Sequence, residues 1–234
     1  MKWIPIELIQ EVIKKKKEKA FKVYVLMNSS TDGYFKRSEE VFAFIMNKCS
    51  IKTKKTLESY FEDLLQLGYF GYSDGIYYIR STKKLKPKCK YHVEVSEMYF
   101  ETWTSYMAGA FIGWLAKHQR IKEGAVRRFN VGTSYQKLPH SFPVSIASIM
   151  KTLGLKQYKS HKYRILAENN GFIKLVKGNC ELTNLKSGFY ALTQNYLPGY
   201  FLKNGKVFKR LPDEVIPYLT YKRKKQRKKA KHKG

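Results

Sequence analysis

The chain has 234 residues and a formal net charge of +28, from 46 Lys plus Arg against 18 Asp plus Glu. Its 43% hydrophobic content suffices for packed cores, which excludes wholesale disorder, and its length fits one large or two small domains. So strong a positive field calls for an anionic counter-surface, either nucleic acid or a membrane. No run reaches the roughly 18 apolar residues of a spanning helix. The N-terminus has no signal-peptide core, and the apolar stretch 103–116 is too short to span, so no membrane partner is expected. Cys49, Cys89 and Cys180 are odd in number and far apart, with no CxxC pair. That spacing predicts neither a disulfide framework nor a zinc site, and it fits a reducing, cytoplasmic setting.

In chain order, Ile6, Leu8, Ile9, Val12 and Ile13 recur at helical spacing, and residues 21–27 resume the apolar pattern. Between them Lys14-Lys15-Lys16-Lys17 reads either as a solvated helix face or as a phosphate contact. Thr31-Asp32-Gly33-Tyr34-Phe35 is a turn into a short strand. Ser38 is placed to cap a helix ending near Asn47, and Thr53 a second one that puts Leu57, Tyr60, Phe61 and Leu64 on one face. Gly68 closes that helix, because glycine alone enters the left-handed conformation without penalty. Residues 69–72 and 76–79 flank Ser73-Asp74-Gly75, which predicts a hairpin.

Residues 82–92 are basic, contain Pro87 and mark a linker. From 93 to 120 the chain reads as largely helical, with Trp103, Met107, Phe111, Trp114 and Leu115 forming a core stripe. Residues 124–143, carrying Arg127, Arg128, Lys137 and His140, read as a loop or an irregular strand pair. Ser145 is a cap for a helix through Leu153, and a further helix covers 157–169 before Gly171. Residues 172–176 and 180–183 flank Lys177-Gly178-Asn179 and predict a second hairpin. Asn204-Gly205 predicts a third, and residues 211–216 a last short helix. Nine of the residues 222–233 are Lys or Arg, a block that repels itself and is expected to be disordered when free.

The sequence therefore divides into an N-terminal domain 1–81, a linker 82–92, a C-terminal domain 93–221 with an extra hairpin, and a tail 222–234. The expected fold class is mainly α with small β wings (α+β). The helix, turn, helix, glycine and hairpin of residues 38–79 recur over residues 144–183. Both stretches resemble the winged-helix form of the helix-turn-helix, whose second helix enters the major groove of duplex DNA.

The two copies differ in charge. The first offers Lys52, Lys54 and Lys55 but also Glu58, Glu62 and Asp63, which would repel phosphates. The second carries Lys156, Gln157, Lys159, Ser160, His161, Lys162 and Arg164 with no acid before Glu168. Lys156, Lys159 and Lys162 suit phosphates, Arg164 suits a fork on guanine, and Gln157 suits adenine. The second copy is the expected DNA reader, with Lys177 in its wing. The tail, through Lys222, Arg223, Lys224, Lys225, Arg227, Lys228 and Lys229, is the expected sequence-independent clamp.

Enzyme signals are poor, and no catalytic role or cofactor is expected. His92-Val93-Glu94 matches one element of the zinc deaminases but lacks their Pro-Cys-x-x-Cys. There is no phosphate-binding glycine loop. Tyr218 and Tyr221 are two among 18 tyrosines and carry no nucleophile signature. Tyr69, Tyr72, Tyr77 and Tyr78, near the first wing, are candidates for stacking on single-stranded bases, although packing of sheet on helix is the simpler role.

The paired segments, roughly 20–80 and 100–183, look like the tandem winged-helix layout of plasmid and phage replication initiators, with residues 53–75 the best match. That resemblance implies one domain for dimerisation and another that grips repeated origin sites. The expected function is double-stranded DNA binding in replication initiation or transcription regulation, with a dimer through the N-terminal domain. Two alternatives stand beside it: a virion-associated protein that neutralises nucleic acid without sequence preference, and an RNA-binding protein.

Overall fold

The computed structural model describes residues 2–86, 88–129, 140–188, 190 and 199–223. The fold is mixed α+β, and its arrangement begins with two runs of elements in the same order. In the first, helix α2 (Glu18–Ser30) follows α1 (Ile6–Lys15) and leads to strand β2 (Tyr34–Lys36). Helices α3 (Glu39–Cys49) and α4 (Lys54–Gln66) and strands β3 (Phe70–Ser73) and β4 (Ile76–Ile79) come next. The local reasons are those the sequence offers. The Ser38 and Thr53 hydroxyls accept the Val41 and Thr56 amides as caps. Asp74 and Gly75, both at positive φ, make a two-residue turn between paired Ser73 and Ile76.

The second run starts after α5 (Thr82–Leu85), β5 (Tyr91–Val95) and a 3₁₀ turn at Glu97–Tyr99. It comprises α6 (Trp103–Phe129), β6 (Phe142–Pro143), α7 (Ile146–Leu153), α8 (Gln157–Asn169), β7 (Ile173–Val176) and, much later, β11 (Glu214–Pro217). Within each run the last strand lies in the middle: the orders are β2-β4-β3 and β6-β11-β7. Ser145 caps α7, and Gly154 at φ 66° ends it.

Here the sequence reading needs correction. The 172–176 and 180–183 segments do not form a hairpin around Lys177-Gly178-Asn179. Strand β7 pairs with β11, while β8 (Cys180–Leu182) pairs with β10 (Lys206–Arg210), which also pairs with β9 (Tyr200–Lys203). A three-stranded sheet of order β8-β10-β9 is thus inserted between β7 and β11 of the second run. Gly178 serves close approach and not a turn: a Cβ there would collide with the Leu211 carbonyl oxygen. The segments 177–179 and 211–213 run side by side as a neck, closed by Leu211 N–H to Asn179 O at 2.9 Å and Gly178 N–H to Asp213 Oδ1 at 3.3 Å. The expected helix over 211–216 is likewise replaced by β11, whose β-branched Val215 is fully buried between two partner strands.

Residues 82–92 and 222–223 also differ from the sequence reading. The segment read as a linker holds α5 and begins β5. Strand β5 is the centre of a sheet that pairs β1 (Lys2–Pro5) on one side with β12 (Tyr221–Arg223) on the other. Lys222 and Arg223, read as tail, are therefore strand residues. Lys224, Lys225, Arg227, Lys228 and Lys229 lie outside the described residues, as does Lys137. The helical reading of 93–120 is half correct, since β5 and the 3₁₀ turn precede α6.

One hydrophobic cluster joins both runs. From α6 come Trp103, Tyr106, Met107, Phe111 and Ile112, all buried against α1, α2 and α8. Trp103 donates its indole N–H to the Glu18 carbonyl at 2.7 Å, joining α6 to the start of α2. Each such side chain contributes about 1.5–3 kcal/mol on burial.

Candidate nucleic-acid interface

Helix α8 shows how a basic sequence divides into core and surface. Ser160, Tyr163 and Ala167 are buried, one turn or two apart, and α8 packs on α6. The opposite stripe is exposed: Tyr158 at 79% and Ile165 at 51%, with Lys162 between them and Gln157 beside Tyr158. Lys156 precedes the helix in an extended conformation and is exposed.

This geometry sorts the sequence candidates. Gln157, Lys162 and Lys156 point to solvent, and His161 is half-buried. Ser160 is fully buried and donates to the Lys156 carbonyl at 3.1 Å, so its hydroxyl does not face a ligand. Arg164 is held by Asp213 at 3.1 Å and its side chain is only 14% exposed, so it presents no fork to a base. Lys159 is committed in part: its Nζ lies 4.0 Å from Glu18 Oε1 and over the Tyr163 ring. Tyr163 in turn donates to Glu18, and burial together with that carboxylate pushes the phenol well above its ordinary range. Lys177 is exposed where β7 meets the neck.

On α4 the acids expected to repel phosphate mostly hold cations. Glu58 is paired with Arg37 and Asp63 with Lys17, while Lys54 is paired with Glu39 at 2.5 Å. Lys52 and Lys55 are exposed and have no acidic partner within ion-pair distance among the described residues. Of the Lys14–Lys17 run, Lys15 pairs with Glu11 and Lys17 with Asp63, and Lys16 is exposed.

The structure also brings the two copies together. A cleft of about 690 Å³ between α4 and α8 is lined by Lys16, Tyr60, Asp63, Tyr158, Lys159 and Lys162. An adjoining hollow of about 580 Å³ carries Lys22, Lys52 and Thr56, and Lys19, Tyr60, Thr104 and Leu166 line both. Lys52 of the first copy and Lys159 and Lys162 of the second thus border one continuous depression. Tyr158 and Lys19 line it and are absent from the residues singled out by sequence, whereas Lys16 comes from the Lys14–Lys17 run read as a solvated face or a phosphate contact. A helical wheel anchored on Tyr163 and Ala167 would have placed Tyr158, Lys162 and Ile165 outward.

Among the described residues no group of three or more His, Cys, Asp or Glu is arranged to hold a metal. Glu94 accepts the Thr220 amide at 3.0 Å within the β5–β12 sheet. Tyr221 is buried and donates to the Ala110 carbonyl at 2.9 Å, and burial raises its phenol far above the usual range. Of the tyrosines at the β3–β4 hairpin, Tyr69 and Tyr77 are core, whereas Tyr72 and Tyr78 are exposed. No helix among the described residues is long and apolar enough to cross a membrane.

Comparison with known protein families, with characterised proteins and with solved structures returns no match.

Proposed function

We propose that the two repeated runs are winged helices and that the chain binds double-stranded DNA, in replication initiation or transcription regulation. The observation that carries this reading is the repetition itself. The helix, strand, two helices and two strands recur with the last strand central both times, in a chain of charge +28. In each run the final helix is the one a winged helix offers to a major groove.

On this reading α8 enters the groove with Gln157, Tyr158 and Lys162, and the adjacent Lys156 and Lys177 meet phosphates. Lys52 and Lys55, with the basic residues beyond 223, add sequence-independent attraction that weakens with salt. Packing of α4 and α8 around a shared basic depression favours joint use of both runs over a role for one alone. A dimer through the N-terminal run belongs to the same proposal.

The test is selection from a random duplex-DNA library with the full chain and with a chain ending at Arg223, which preserves β12. The expected result is an enriched motif in both. No enrichment, with binding lost on shortening, would replace this reading with charge-driven neutralisation of nucleic acid. Preferential binding of structured RNA in a competition assay would replace it with RNA recognition.

A further inference from the structure

The inserted sheet has two different faces. On β10, Val207 is 1% exposed, so it lies on the covered side of the sheet. On the other side β10 presents Lys206, Phe208 and Arg210. Pairing sets Phe201 and Lys203 of β9, and Cys180 and Leu182 of β8, beside them. The Phe201 and Phe208 rings stack at 5.8 Å and 20°. The two rings are half-buried, and around them Cys180, Leu182, Lys203, Lys206 and Arg210 are all exposed, so this face is reachable from solvent. None of Lys203, Lys206 and Arg210 has an acidic partner among the described residues, and the only carboxylate on the three strands, Glu181, lies on the opposite face.

We propose that this face is a binding site for single-stranded DNA, with bases stacked on Phe201 and Phe208 and phosphates held by Lys203, Lys206 and Arg210. Aromatic rings interleaved with unpaired cations on an open sheet are what an unpaired strand requires: π faces for bases that no longer stack on a partner, and charge for the backbone. A membrane or an acidic protein surface would use the cations but not the paired rings. The choice of DNA over RNA rests on the duplex-DNA reading of α8, because the major groove of an RNA helix is too narrow for an α-helix. The face itself is separate from α8, so duplex and single-strand binding can be lost independently.

Cys180 provides the probe. It is exposed on this face opposite Arg210, whereas Cys49 and Cys89 are buried and burial pushes their thiols up to about 11 and about 12. In the full chain, a 15-nucleotide oligothymidylate should slow alkylation of Cys180 more than inorganic polyphosphate of equal charge does. The F201L/F208L variant keeps apolar bulk and should bind the oligonucleotide about tenfold more weakly. The K203E/K206E variant changes only exposed residues at the hairpin tip, so its folding is secure. Two lost phosphate contacts should make its salt dependence shallower by about 1.4 in the log–log slope. Duplex binding, measured in parallel, should be retained by the leucine variant. Equal protection by polyphosphate, wild-type affinity in the leucine variant or an unchanged slope would overturn the proposal. Equal or tighter binding of oligouridylate would overturn the assignment to DNA. Absence of duplex binding in the unaltered chain, with oligothymidylate still bound, would count against the reading of α8 and leave this site standing.

Discussion

Asp213 divides its carboxylate between two partners: Oδ2 faces the Arg164 guanidinium at 3.1 Å, and Oδ1 accepts the Gly178 amide at 3.3 Å. One side chain therefore fixes both strands of the neck and ties them to α8. Both members of the ion pair are largely shielded, at 14% and 21% side-chain exposure. Removing one partner leaves the other charge poorly solvated, which costs more than the pair itself contributes. Asp213→Ala should lower unfolding stability by about 2 kcal/mol, read from urea midpoints. Arg164→Met combined with Asp213→Ala should cost less than the two single changes added together. Strict additivity would mean the two side chains act independently.

A second expectation separates binding from folding on α8. Lys162 and Tyr158 are exposed and touch no core, so Lys162→Glu and Tyr158→Ala should leave stability within about 0.5 kcal/mol. Each should weaken duplex-DNA binding if α8 is the reader, Lys162→Glu by about tenfold and Tyr158→Ala by less, since a good groove contact is worth roughly 1–3 kcal/mol. Lys159→Glu behaves differently. It sets a new carboxylate beside Glu18, which is only 9% exposed, and should lower the thermal midpoint as well as affinity. Thermal scans beside anisotropy titrations distinguish the two patterns.

The contrast between Lys162 and Ser160 shows what the sequence could and could not reveal. Caps and tight turns have local causes, and Ser38, Thr53, Ser145, Asp74-Gly75 and Asn204-Gly205 all behave as read. The helices 54–66 and 157–169 follow from the same signals. Sheet partners do not announce themselves in this way. Residues 180–182 follow β7 closely enough for a hairpin, yet β7 takes β11 from beyond the whole insert. Gly178 reads as a turn glycine in sequence, but its lack of a side chain serves the crossing with Leu211. Within α8 the basic and polar residue types alone do not give direction, which follows only when the helical wheel is anchored on Tyr163 and Ala167, the face that packs on α6. Hence Ser160 and Arg164 look like contacts in the sequence and Tyr158 does not. The pairing of β12 with β5 was hidden for a related reason: a strongly basic run reads as solvated until a partner strand is known.

A third prediction concerns the glycines of α6. Gly109 and Gly113 lie one turn apart, and each marks a close approach. A Cβ on Gly109 would collide with Phe172, and one on Gly113 would fall 2.5 Å from the Tyr221 hydroxyl and 2.9 Å from Pro217 Cβ. Alanine improves helix propensity by about 1 kcal/mol, but overpacking costs about 1–3 kcal/mol. It would also displace a hydroxyl that donates to the Ala110 carbonyl. Gly113→Ala should therefore be net destabilising and should loosen β12 from α6. Lowered thermal midpoints with faster amide exchange in residues 221–223 are expected. A stabilised variant would show that β12 yields at little cost.

The last prediction follows from His118, whose ring stacks on Trp114 at 5.0 Å with 11° between planes and lies edge-on to Tyr91. Burial in this aromatic stack, reinforced by the charge of Lys122, holds the imidazole below its ordinary value of 6.5. The unfolded chain then binds the proton more readily than the folded one. Stability is full above about pH 6.5 and is lost as pH falls through the folded-state value. His118→Phe keeps a ring against Trp114 and removes the titration. Between pH 7.5 and pH 5.5 the wild-type urea midpoint should therefore fall further than that of the variant. Other groups that titrate in this window are common to both proteins, so the difference between the two slopes reports His118. Parallel slopes would mean that the folded state accepts the proton as easily as the unfolded chain, and that the stack on Trp114 tolerates an imidazolium.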